Sequence, residues 1–438
     1  GEGPASARDF AEQAMAALVS ALLALTAAAL VFMPLLTLAL AAGFREDAAK
    51  FDLAVEYGRI QFPYLILISL TALFSGVLNA MGRFAAPAAA PMLLNVALIG
   101  AMALASAFAL PVGDALAWGV LVAGFAQAGL VIAAARAGGM GLTLRRPRLT
   151  PGVRRLIRLG IPGAISGGAT QINLVIGTLI ASFFSGAVAW LSYADRLYQL
   201  PLGVVGAAVG VVLLPELSRR VRAGDAAGGR EAMNRAAEFS LALTVPAAAA
   251  LVVFAGPIVA ALFQRGAFGD ADTRAVALAV ALYALGLPAF VLHKVVQPAY
   301  FAREDMDAPL RFALVAMALN TALALALAPL IGFAAIPAAT SVAAWAQLWL
   351  LARGGRSDET LRADARLIHA APRIAAAAAI MAAALWAIGQ HPAFDDPGRR
   401  LAAALFGVAL GGGVYAAAAV TLGAVSPANL RAALRRGG

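Results

Sequence analysis

Cysteine is absent from all 438 residues, which excludes disulfides and thiolate metal sites. Charge is scarce as well: 13% of residues are Asp, Glu, Lys or Arg, about half the share of an ordinary globular domain. The three histidines, His293, His369 and His391, are too far apart to form a ligand spacing such as HExxH, and each is expected to be structural or to sit in a loop. Lysine occurs only as Lys50 and Lys294, and neither completes GxxxxGKS or GxxxxGKT. The chain therefore carries no P-loop of its own, and energy for any vectorial work must come from an ion gradient, the membrane potential or substrate supply.

Apolar sequence fills the space that these absences leave. Hydrophobic residues make up 62% of the chain and the mean hydropathy is +0.85. Apolar stretches near 20 residues long recur, separated by short Arg-rich or Gly/Pro turns, which is the pattern of an all-α polytopic membrane protein. Twelve spans are expected, roughly 10–42, 58–81, 89–110, 114–135, 155–184, 187–217, 234–263, 273–302, 310–330, 333–352, 370–389 and 400–424. With these boundaries, 24 of the 33 basic residues fall on the side holding both termini, seven on the other side, and Arg196 and Lys294 inside the apolar layer. The positive-inside rule then places both ends in the cytoplasm. The net charge of +10 belongs to loops on one membrane side and does not imply nucleic acid. No signal peptide opens the chain, and a segment upstream of Gly1 is expected.

The stretch SGAVAWLSYADRLYQLPLGVVGAAVGVVLLPELSRR (185–220) holds the feature most in need of explanation. A helix beginning near Ala187 carries Arg196 about 14 Å into the apolar layer, close to the centre of a hydrocarbon core about 30 Å thick. A charge at that depth costs several kcal/mol unless it meets a watered cavity or a partner. Sequence neighbours diverge by about 100° on a helix, so Asp195 and Arg196 cannot simply neutralise each other, whereas Ser192, Arg196, Gln199 and Gly203 share one face. Pro201 removes one backbone bond and is expected to bend the helix. A structural charge pair is one reading, and a cavity for an anionic ligand is the sharper one.

Other polar positions are weaker signals. Lys294 lies nine residues before Arg303, bracketed by Pro288 and Pro298, and either snorkels to the interface or faces a cavity. Gln171, Asn173, Asn320 and Thr340 are neutral and suit interhelical hydrogen bonds. Gly167 and Gly168 permit close helix contact, and Gly411-Gly412-Gly413 predicts a thin or bendable point in the last helix. Glu216 and Glu238 sit where water or neighbouring arginines can satisfy them. The basic connector RAGGMGLTLRRPRLTPGVRRLIR (136–158) is the candidate join between two bundles and suits anionic headgroups. Around it runs an internal echo: Phe62-Pro63, Arg83, Pro87, Asn95 and Arg136 recur in order as Leu287-Pro288, Arg303, Pro309, Asn320 and Arg353. Repeats of this kind are common in transporters, with substrate sites near the midplane.

The stretches FPYLILISLTALFSGVLNAMGRFAAPAAAPMLLN (62–95), IPGAISGGATQINLVIGTLIASF (161–183), YADRLYQLPLGVVGAAVGVVLLPELSR (193–219) and QPAYFARED (297–305) resemble the MurJ (MviN) lipid II flippases of the MOP exporter superfamily. The resemblance covers essentially the whole chain and implies a two-lobed bundle of fourteen helices around a cationic cavity, twelve of which are present here. It implies residues 1–136 as the remainder of an N-terminal lobe, 137–154 as a cytoplasmic connector, and 155–352 as a C-terminal lobe. After these come 353–369 as a cytoplasmic linker and 370–438 as two extra helices with a lipid-tail groove, followed by a C-terminal tail. The first two family helices, which carry most cavity arginines, are missing from this sequence, so a chain beginning at Gly1 is expected to be incomplete and unable to flip lipid.

The function implied by the resemblance is export of lipid II, an undecaprenyl-pyrophosphate disaccharide peptide, from the cytoplasmic to the periplasmic leaflet of the inner membrane by alternating access, for cell wall synthesis. Of the family's cavity arginines the resemblance matches only Arg196, with its neighbour Asp195; Ser192 and Gln199 on the same helix, and Lys294, are the further candidate substrate-cavity residues. Asn320 and Thr340 stand where some relatives hold sodium, but no acidic partner accompanies them on those helices. No cofactor and no catalytic residue is expected; the membrane potential or a monovalent cation is the energy source. Membrane lipids and the cell wall synthesis machinery are the implied partners. Three other readings stand beside this one: a cation-coupled drug or other polyprenyl-lipid exporter of the same superfamily, an intramembrane lipid enzyme, which would need a convergent acid, base or metal set, and a scaffold with no transport cycle.

Overall fold

The computed structural model describes residues 3–148, 150–303, 305–355, 359–394 and 396–424, with the side chains of 3–5, 7, 159–170, 204–218 and 221–222 outside the description. Sixteen α-helices occur among the described residues: α1 (Gly3–Val31), α2 (Met33–Leu40), α3 (Ala48–Gln61), α4 (Tyr64–Ala80), α5 (Ala85–Phe108), α6 (Val112–Ala137), α7 (Pro151–Ser182), α8 (Ala187–Arg222), α9 (Ala226–Val253), α10 (Ala255–Phe263), α11 (Asp270–Ala284), α12 (Leu287–Phe301), α13 (Asp307–Ile331), α14 (Ala335–Gly354), α15 (Ala365–Gly389) and α16 (Arg400–Thr421). Each expected apolar span is filled by one helix or by two in succession. Nine described helical stretches are long and apolar enough to cross a membrane.

Four spans are broken rather than continuous, at Phe32, Phe62-Pro63, Phe254 and Leu285-Gly286. Proline stands at the start of α2 and of α12, where its missing N–H costs nothing and its fixed φ suits a first turn. A break frees carbonyl groups that an apolar surrounding cannot solvate. Side chains from neighbouring helices satisfy them. Arg59 Nε donates to Leu30 O at 3.2 Å, Ser341 Oγ to Leu282 O at 2.6 Å, and Trp345 Nε1 to Leu285 O at 2.9 Å. Pro201, by contrast, does not break α8, which runs on to Arg222.

The chain divides into two compact units, residues 1–179 and 180–438. In the first, α5 and α6 form a hairpin against α4, around Phe74, Leu78, Ala90 and Val131. Buried Gln127 accepts from Tyr64 Oη at 3.0 Å and donates to Ala90 O at 3.1 Å. Glu12 of α1 is fully buried and gathers part of the basic connector. Its carboxylate accepts from the Thr143 N–H at 3.1 Å and hydroxyl at 3.0 Å, and it pairs with Arg8 at 3.2 Å and Arg145 at 2.6 Å. The connector's first half is thus docked on protein, a role beyond the headgroup contact expected from its arginines.

In the second unit α8 packs on α9, α11 and α12, and α15 packs on α9 and α16. Met233, Ala237, Val291, Val295 and Ala299 form one core, and Phe254, Met381, Leu385 and Phe394 another. The loop before α15 is tied to α9: Arg230 donates to the Arg362 and Ala363 carbonyls, both at 3.1 Å, and Asn234 Oδ1 accepts from the Asp364 N–H at 2.9 Å. Arg235 pairs with both Glu238 and Asp364, and Arg366 reaches Glu238 at 3.0 Å. Asp364 caps α15 through the Leu367 N–H at 2.7 Å. Burial would raise its carboxyl, but that N–H and the Arg235 guanidinium hold it below the ordinary value. Glu238 is satisfied by arginines as expected; Glu216, Gly167 and Gly168 lie outside the described side chains.

The glycine run in α16 serves packing on one side and is thin on the other. The helix passes through Gly411-Gly412-Gly413 without interruption. What glycine provides there is proximity: a Cβ on Gly411 would stand 2.9 Å from Leu385, and one on Gly407 2.6 Å from the buried Phe254 ring, whereas Gly412 and Gly413 face open space.

Candidate functional site

The N-terminal half of α8 has two faces of opposite character. Ala187, Leu191, Ala194, Leu197 and Tyr198 are buried, and the Tyr198 ring stacks on Tyr283 of α11 at 5.0 Å and tilts against Phe290 of α12 at 5.8 Å. These aromatic contacts fix the rotation of α8 about its axis. The opposite face therefore presents Ser192, Tyr193, Arg196, Gln199, Leu200 and Gly203, all exposed. Helical periodicity puts Arg196 at the centre of that exposed strip.

Arg196 has no hydrogen-bond or ion-pair partner among the described residues, and Asp195 does not neutralise it. Instead Gln199 Nε2 donates to Asp195 Oδ2 one turn along, which satisfies the half-buried carboxylate within the helix. Ser192 donates back to Val188 O at 2.7 Å. The expectation of a shared polar face holds, with one refinement: Gln199 serves Asp195, so the guanidinium alone remains to meet an external group. A purely structural charge pair does not fit this arrangement.

The other expected residues are placed less tightly. Lys294 is exposed on α12, between buried His293 and Val295, and also lacks a partner among the described residues. His293 is structural, with its Nε2 at 2.8 Å from Ala344 O, and His391 accepts the Ala393 N–H at 3.2 Å in a loop. Asn320 of α13 and Thr340 of α14 do meet: the Thr340 hydroxyl stands 3.4 Å from Asn320 Oδ1 and 2.8 Å from Ile336 O. That pair supplies a bond between α13 and α14.

Beside the strip stands an aromatic group that sequence reasoning passed over. Tyr193 packs its ring against Phe263 at 4.9 Å and Phe268 at 5.3 Å. Trp190, one turn earlier, donates to Asp272 Oδ1 at 2.7 Å and packs on Phe333 at 5.1 Å. Gly186 opens the helix at φ +80°, where an added Cβ would meet the Trp190 ring at 2.6 Å. The signal was available: three aromatic residues within 190–198 on one helix, at spacings that cannot all face one core.

Comparison with known proteins gives consistent matches. The family model described as lipid II flippase MurJ matches residues 2–392. A probable lipid II flippase MurJ of Rhizobium meliloti (strain 1021) is 45% identical over 444 residues, covering 99% of this chain and 83% of the relative. Another, of Rhizobium tropici, is 48% identical over 343 residues, covering 77% of this chain and 64% of that protein. Among solved structures, a lipid II flippase MurJ in an inward closed conformation superposes with a TM-score of 0.77 at 21% identity, over 95% of this chain and 84% of its own. This supports the all-helical polytopic fold.

Proposed function

The chain belongs to the lipid II flippase MurJ family, transporters rather than enzymes, and from that membership we propose that it carries lipid II from the cytoplasmic to the periplasmic leaflet of the inner membrane by alternating access. The observation that carries the reading is Arg196: a guanidinium deep in an apolar helix, exposed and without a partner among the described residues. A fixed guanidinium binds a pyrophosphate through two parallel charge-assisted bonds, and a ligand that spends only part of the cycle in place leaves that cation unpaired the rest of the time. Lys294 adds a second positive charge on the neighbouring α12. The polyprenyl tail runs in lipid along α15 and α16, where Ile388, His391, Phe394, Arg399 and Phe406 line an open cleft.

Work comes from the membrane potential. Each elementary charge crossing 100 mV is worth about 2.3 kcal/mol, and an inside-negative potential pulls an anion outward. Asn320 and Thr340 bring no acidic partner on their own helices, so the proposal does not rest on a cation. Both termini of the described chain lie on the Arg-rich, cytoplasmic side. A cation-coupled drug exporter is not favoured, because the clearly central acid, Asp195, is already held by Gln199.

The test is depletion of the protein in its own cell, followed by measurement of which leaflet holds lipid II. Accumulation on the cytoplasmic leaflet is the expected outcome. An unchanged leaflet distribution would remove the assignment.

A further inference from the structure

We infer that Tyr193 sets the sugar specificity of the proposed site, its ring receiving the apolar face of the pyranose attached to the pyrophosphate that Arg196 holds. The inference rests on the flippase reading above and deepens it. Tyr193 is 40% exposed although it lies in an apolar helix with phenylalanine neighbours. Its position is six residues from Ala187, about 9 Å along the helix. It shares the exposed strip with Ser192, Arg196 and Gln199, so turning the ring to lipid would carry the unpaired guanidinium into lipid too, at a cost of several kcal/mol.

The ring is held before any ligand arrives. Phe268 meets it edge-on at 86° and Phe263 tilts against it at 51°, which leaves one part of the ring committed to protein and another open. The turn carrying Phe268 is itself anchored: the Gly269 N–H donates to Asp272 Oδ2 at 2.9 Å, and the other oxygen of Asp272 accepts from Trp190 on α8 at 2.7 Å. The helix that carries Tyr193 and the turn that backs it therefore form one braced piece, and a braced aromatic surface loses little entropy on binding.

Spacing matches the chemistry. Residues three apart on a helix have Cβ atoms about 5–6 Å from each other, the scale separating a phosphate from the sugar ring bonded to it. Pyranose C–H edges carry partial positive charge and pack on the negative face of an aromatic ring. Tyr193 and Arg196 thus read adjacent groups of one headgroup, the ring reporting sugar and the guanidinium reporting phosphate.

The experiment measures binding of lipid II and of undecaprenyl pyrophosphate, which lacks the sugars, to the intact chain in lipid nanodiscs. Tyr193→Leu is expected to weaken lipid II by about five- to tenfold while leaving undecaprenyl pyrophosphate within about twofold; Tyr193→Phe keeps both, and Arg196→Ala weakens both. Equal loss of the two lipids in Tyr193→Leu, or loss of neither, overturns the inference. Wild-type protein that binds the two lipids equally well overturns it while sparing the flippase reading. Wild-type protein that binds neither overturns both.

Discussion

Replacing Arg196 by alanine separates a ligand-facing charge from a structural one, because the two readings predict opposite patterns of damage. In the structure the side chain is exposed and has no partner among the described residues. Removing it leaves none of those groups unsatisfied, and folding stability should change by no more than about 0.5 kcal/mol. A charged pair buried in protein would instead cost about 3–5 kcal/mol on losing one member. The loss should appear in substrate binding. A charge-assisted hydrogen bond contributes about 1.5–3 kcal/mol, which at about 1.4 kcal/mol per decade is roughly 10- to 150-fold in affinity. Arg196→Lys keeps the charge but not the fork, so it should fall between wild type and alanine. The assay is transbilayer movement of fluorescent lipid II in proteoliposomes carrying the full-length protein, paired with thermal unfolding of the same preparations. Flipping at the wild-type rate in Arg196→Ala, or a fall in unfolding temperature that accounts for the lost activity, would refute the reasoning.

Two further perturbations test the scaffold. Gly407→Ala pushes a methyl to 2.6 Å from the fully buried Phe254 ring and should destabilise by about 1–3 kcal/mol, whereas Gly412→Ala faces open space and should stabilise by about 0.5–1 kcal/mol; thermal unfolding of the two variants checks the pair, and equal effects would contradict the packing described. At the start of α15 the Asp364 carboxyl is held below its ordinary value of 3.8, so its contribution is fully present above the unfolded value and is lost as pH falls through the folded one. Wild-type stability should therefore decline below about pH 4 more steeply than that of Asp364→Asn, which already lacks the ion pair with Arg235, and parallel acid profiles would count against that pair.

How much of this was legible in the sequence depends on where each polar group finds its compensation. Apolar runs of membrane length announce themselves without tertiary information, and the breaks at Phe62-Pro63 and before Leu287-Pro288 carry proline as their mark. The break at Phe32 also has Pro34 in the turn that follows it, but how its carbonyls are compensated lies further off, since the Arg59 side chain that satisfies Leu30 O is 29 residues away. Glu12 shows the same limit more sharply. Nothing in the sequence near the start of the first span singles it out, yet it is fully buried because Thr143, 131 residues on, and Arg145 fold back over it. The Asp195 to Gln199 bond was within reach of the sequence, being an ordinary pair four residues apart, but the costlier arginine between them dominates any reading of that turn.

Arg196 is the reverse case. No described residue later in the chain compensates it, and for that reason its cost stands out in the sequence and persists in the structure. Polar groups in an apolar helix thus divide by what compensates them. Those compensated within the protein need the fold before they can be understood. Those left uncompensated are visible early, and they point outward, to what the protein must bind. Tyr193 belongs with them in position but was missed in the sequence, because an aromatic ring in an apolar run carries no visible cost until its exposure is known.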